Sequence, residues 1–143
     1  VAVIFYADFE CARCGLAWER IKNAGVRVGL RHFPVTSGHP RARAASLAAE
    51  AADCQGKFWE MVDLLFTDQG HLDPPHLWKR AERLLLDLDL FDADMQSPTA
   101  SDRVNADFRE AIRAGVSTTP TLLVNGELLP GVPEVSAVQG WAA

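Results

Sequence analysis

The chain has 143 residues, 48% of them hydrophobic, and a formal charge of −5. This is enough for one domain to bury a core without covalent staples. The 14 Lys and Arg residues are scattered among 19 Asp and Glu residues, so no nucleic-acid footprint exists.

Val1 to Tyr6 is rich in β-branched and aromatic residues and reads as a buried strand, with Asp8-Phe9-Glu10 as the loop after it. The longest wholly apolar stretch, Val1 to Ala7, is far short of the ~18 to 20 residues that cross a bilayer. It also lacks the charged n-region of a signal peptide. A strand beginning at residue 1 predicts a mature, trimmed or excised segment, with room for a leader, membrane anchor or fusion ahead of Val1.

Ala12 to Asn23 reads as a helix carrying Leu16, Trp18 and Ile21, stopped by Ala24-Gly25. Val26 to Phe33 alternates Val26, Val28 and Leu30 with Arg27, Gly29 and Arg31, the period of a strand, and Pro34 ends it. Strand, helix and strand form a βαβ unit with a parallel pair.

From Pro40 to about Ala114 the apolar spacing is helical. Arg41 to Cys54 is alanine-rich, Lys57 to Phe66 groups Phe58, Met61, Val62, Leu65 and Phe66, and Pro74-Pro75 opens a helix through Leu86. A short helix follows Asp89, and Ser101 to Ala114 turns Val104, Phe108, Ala111 and Ile112 inward. Thr121 to Val124 returns to β character, Asn125-Gly126 predicts a tight hairpin, and Glu127 to Leu129 pairs back antiparallel. Val132 to Gly140 closes the chain as a helix. The expected organisation is one α/β domain over 1–143, with a helical insertion at about 40–114.

Cys11-Ala12-Arg13-Cys14 falls between the first strand and the first helix. At a helix N-terminus the unpaired N–H groups and the helix dipole stabilise a thiolate, making Cys11 the attacking sulfur. Cys14, one turn in and more shielded, would break the mixed disulfide that Cys11 forms. Arg13 is expected to lower the Cys11 pKa through its charge, within a redox span of roughly −270 to −120 mV for such pairs. Two other readings stand beside this one, half of a zinc site and a pair of core thiols. The zinc reading lacks a second Cys-x-x-Cys, and His32, His39, His71 and His76 lack finger-like spacing, so no metal is expected. Cys54 is left over and reads as a semi-buried, inert thiol. Asp8 and Glu10 read as solvated carboxylates, and His32 and His39 as capping or surface residues.

Phe5 to Gly15, His32-Phe-Pro34, His39-Pro40, Ala48 to Ala52, Gln55 to Met61 and Gly115 to Gly126 follow one another in an order similar to the bacterial DsbA-like branch of the thioredoxin superfamily. The resemblance implies an α/β thioredoxin-like fold with an inserted helical subdomain, Cys11 as nucleophile and Cys14 as resolving thiol. It also implies a cis Pro120 against the sulfurs, with Thr119 offering backbone hydrogen bonds to an extended substrate. Ala12-Arg13 departs from the dipeptides of many relatives, and Phe5 stands where many carry a buried acid.

The expected activity is thiol-disulfide exchange with protein or peptide substrates, most simply as a disulfide oxidase reset by an unidentified redox partner. A redox-sensing or regulatory domain of a larger, membrane-bound protein is the alternative. No organic cofactor is called for, because the cysteines carry the two electrons. An extracytoplasmic location is expected, where disulfides persist.

Overall fold

Strand β1 (Ala2–Ala7) is central, and its alternation decides both faces of the sheet. The structure is a computed structural model describing residues 2–143, so Val1 of the expected strand lies outside the described residues. Val3, Phe5 and Ala7 point to one side, where they meet α1 (Ala12–Ala24), α2 (Ala42–Asp53) and α3 (Phe58–Thr67). Ile4 and Tyr6 point to the other, against Phe108 and Ala111 of α6 (Pro98–Ala114). Residues two apart share a face because successive side chains alternate across a strand. Phe5 is fully buried and stacks on Phe66 at 6.1 Å, and truncating such a ring costs about 3–5 kcal/mol.

The sheet order is β2-β1-β3-β4, with β2 (Arg27–His32), β3 (Thr121–Val124) and β4 (Glu127–Pro130). β2 runs parallel to β1, and β3 and β4 follow antiparallel. Asn125 and Gly126 both take positive φ, 52° and 79°, as a two-residue hairpin matched to strand twist requires. Tyr6 pairs with Thr121. This register brings the segment entering β3 to the edge where β1 leaves the sheet, and so sets Thr119-Pro120 opposite Cys11.

Helices α2 to α6 all fall between β2 and β3, including α4 (Pro74–Arg83) and α5 (Leu88–Met95), and α7 (Val135–Ala142) ends the chain. The α/β architecture with a helical insert agrees with expectation. Two details differ. The helix opened by Pro74 stops at Arg83 instead of running through Leu86, because Leu85 turns left-handed at φ 60°. The Leu86 N–H then bonds the Ala81 carbonyl and drops Leu86 into the core. Ile112, expected inside, is 54% exposed, since Val104 and Ala111 already define the inward stripe of α6.

Candidate active site

Cys11 is the N-cap of α1, extended at φ −76° and ψ 117°, and its Sγ accepts the Cys14 N–H at 3.4 Å. Its thiol lies 3.7 Å from the Thr119 carbonyl, and the Thr119-Pro120 bond is cis. Cys14 is fully buried one turn into the helix, and both thiols are free. Cys11, although the outer of the two thiols, is only 7% exposed. It belongs to the main core cluster, with Phe9, Cys14 and Trp18.

This environment separates the two thiols. The Cys11 pKa is lowered from 9.0 to about 5, first by the hydrogen bond from the Cys14 thiol and against the opposing effect of burial. The Cys14 amide, the Thr119 side chain and the Arg13 amide add to the lowering. Burial pushes the Cys14 thiol far up, and its hydrogen bond to Cys11 adds to that. A thiolate at Cys11 beside a protonated Cys14 follows.

Arg13 therefore acts differently from expectation. Its backbone N–H, oriented by the first turn of α1, contributes to the stabilisation of Cys11, less than the Cys14 thiol and amide and the Thr119 side chain do. Its guanidinium reaches toward Gly131, where an added Cβ would lie 3.4 Å from Nη2. Ala12 is exposed and makes no polar side-chain contact.

Asp8 is the largest correction, because the carboxylate read as solvated is fully buried. It accepts the Glu10 N–H at 2.8 Å, the Val35 N–H at 2.9 Å and His39 Nδ1–H at 2.8 Å, while its carbonyl accepts the Cys11 N–H at 3.1 Å. One residue thus ties the cysteine loop to the β2–α2 connection. Three N–H donors compensate the burial of a charge that would otherwise be expelled. Glu10 accepts the Arg41 N–H at 2.8 Å.

His32 is likewise internal, with Nε2 2.7 Å from Glu50, its N–H bonded to Asp107, and Nδ1 unpartnered. Only His39 keeps a solvent-facing edge of the two. Cys54, expected semi-buried, is exposed, and its pKa is raised by partial desolvation of the thiol and by Asp94, Asp53 and Glu50.

Gln69, just after α3, escaped sequence reading. Its Nε2 donates to the Phe9 carbonyl at 3.0 Å and to the Cys11 carbonyl at 2.8 Å, clamping the cysteine loop from the helical insertion. The available signal was Gly15, a glycine inside a helical run, which marks a close approach.

The thioredoxin family matches residues 1–141. The chain belongs to it. Among structures similar to this thioredoxin-family chain is a thioredoxin-like oxidoreductase from Silicibacter pomeroyi DSS-3, with a TM-score of 0.87 and 25% identity over 98% of this chain and 83% of that one. Another is the thiol-disulfide exchange protein alpha-DsbA2 from Wolbachia pipientis, with a TM-score of 0.88 and 17% identity, covering 99% of this chain and 80% of that one. The fold is therefore thioredoxin-like, with a helical insert between β2 and β3. A Na(+)/H(+) antiporter NhaA 3 from Salinispora tropica is 43% identical over 96% of this chain. The chain spans only 22% of that relative's length. No helix among the described residues is long and apolar enough to cross a membrane.

Proposed function

We propose that this protein is a thiol-disulfide oxidoreductase acting on protein or peptide substrates, working in the oxidising direction as one domain with 40–114 as its helical insertion. The observation that carries the reading is Cys11 at the α1 N-cap, its thiol favoured as the anion, beside a buried Cys14 and against Thr119-Pro120. Stabilising the Cys11 thiolate favours the reduced form and makes the Cys11–Cys14 disulfide a stronger oxidant.

In the reaction, a substrate thiolate attacks Cys11 Sγ of the disulfide, and the electron pair leaves with Cys14, which takes a proton. A second substrate thiol then attacks the mixed disulfide on the substrate sulfur. The substrate disulfide departs, and Cys11 leaves as its thiolate. Thr119 and Pro120 would line the extended substrate by main-chain pairing. Ala12 and Arg13 shape the rim and supply the amide already described. An extracytoplasmic site of action and a separate reoxidising partner belong to this reading.

The test is oxidation of reduced ribonuclease and reduction of insulin by the parent and by Cys11→Ala. Loss of both activities in the variant supports the assignment, and activity retained in it removes Cys11 as the nucleophile. The antiporter relatives favour a second reading, a redox-sensing domain of a larger membrane protein. Reversible disulfide formation without turnover would favour it.

A further inference from the structure

His39 stands apart from the other histidines in its relation to the cysteine pair. Its Nδ1–H bonds the Asp8 carboxylate at 2.8 Å, and Asp8 in turn receives the Cys11 N–H on its carbonyl at 3.1 Å. Two hydrogen bonds through one buried residue thus join the imidazole to the N-cap that carries the reactive sulfur. The bond at Nδ1 fixes the tautomer, which leaves the Nε2 lone pair as the basic site on a side chain 34% exposed. Protons can reach that edge from solvent.

The charges that act most strongly on His39 are negative: Asp8 and Glu10 from the loop after β1, and Cys11 when it is a thiolate. Glu10 also accepts the Arg41 N–H at the start of α2. Of these charges, Cys11 alone appears and disappears with redox state. In the disulfide it is neutral, and in the reduced pair it carries a full charge above about pH 5.

We propose that His39, held by the buried Asp8, is the charge-compensating residue of the Cys11–Cys14 couple: it takes up a proton when the disulfide is reduced and gives it back on reoxidation. The inference rests on the redox reading of the pair given above. The balance is complete without a further reactant. A substrate dithiol gives two electrons and two protons and becomes a disulfide. One proton goes to Cys14, and the other is left over because Cys11 stays a thiolate. Near the His39 midpoint Nε2 takes up a share of it and water the rest, so part of the new negative charge is matched by imidazolium. His39 touches neither sulfur, so it is a positioning and charge-balancing residue and not a catalytic one. The Asp8 hydrogen bond, which raises the His39 pKa most, is present in both redox states, and the Cys11 charge raises it further only when the pair is reduced.

Linkage makes the coupling reciprocal, so a thiolate that raises the proton affinity of His39 is itself favoured by His39 protonation. The experiment is an NMR titration of the imidazole carbon-bound protons in the unaltered protein, oxidised and then reduced, with His39→Gln used to assign the resonance. The expected result is a proton affinity at His39 at least about 5-fold higher in the reduced form, the lower end of typical site coupling. The pH profile of the glutathione redox equilibrium should carry a matching inflection that His39→Gln removes. Equal His39 titration in the two states, with the disulfide demonstrably formed, overturns the inference and leaves the proposed function standing. Failure of Cys11 and Cys14 to form a disulfide overturns both.

Discussion

The Gln69 carboxamide occupies the space where a side chain at residue 15 would be: a Cβ on Gly15 would lie 2.5 Å from Gln69 Oε1. That approach lets Nε2 reach the Phe9 and Cys11 carbonyls together. Gln69→Ala should lose about 1–3 kcal/mol from two hydrogen bonds at about 1 kcal/mol each, with some variation for burial. Gly15→Ala should be destabilising alone and far less so combined with Gln69→Ala. A double-mutant cycle by urea denaturation checks this, and additive effects contradict the contact.

Arg13→Ala should leave the Cys11 thiolate midpoint nearly where it is, because the stabilising group is the amide, which alanine keeps. An exposed guanidinium is screened by salt as well. Alkylation rate against pH reads this directly. A large upward movement of the midpoint would show that the guanidinium acts on the sulfur after all.

The contrast between amide and side chain shows what sequence could and could not convey. The alternation in β1, the alanine-rich α2 and the Asn125-Gly126 turn are local patterns, and each set an element correctly. Cys11 at a helix start followed from the same local logic. Asp8, His39 and Gln69 did not, because 31 residues separate Asp8 from His39 and 58 separate Gln69 from Cys11. A carboxylate in a loop looks solvated until two distant N–H donors, from Val35 and His39, join the local one from Glu10. Leu85 was unreadable for another reason, since leucine gives no signal for a left-handed backbone.

Leu85→Gly should stabilise the protein by about 0.5–1.5 kcal/mol. Leucine at φ 60° is strained by its Cβ, by roughly 1–2 kcal/mol, and glycine relieves this at some entropic loss in the unfolded chain. The side chain is 92% exposed, so little packing is given up. A thermal melt that moves down instead of up contradicts this.

Asp8→Ala should be severe, about 3 kcal/mol or more, because it strands three N–H donors that a charged acceptor now satisfies. Asp8→Asn removes the charge and also turns one acceptor oxygen into a donor, so the pH dependence of its effect, and not its size, reads the ionic part. The folded His39 pKa is raised above 6.5, so the ion pair's contribution is complete below the unfolded pKa and is lost as pH rises through the folded value. The stability gap between parent and Asp8→Asn should therefore be wider at acidic than at alkaline pH, measured by denaturant unfolding of the oxidised protein. A gap that grows with pH contradicts the assignment.

The central claim, that Cys11 is held as the reactive thiolate while Cys14 stays protonated, is tested most directly by the ultraviolet thiolate absorbance of the reduced protein against pH, together with mapping of the first site alkylated. A folded pKa below the unfolded 9.0 makes reduced-state stability rise between about pH 5 and pH 9, and disappear as pH falls through about 5. An absorbance step near pH 5 that Cys11→Ala abolishes is expected, with alkylation at Cys11 first. A Cys11 midpoint near 9, or Cys14 reacting ahead of it, would contradict it.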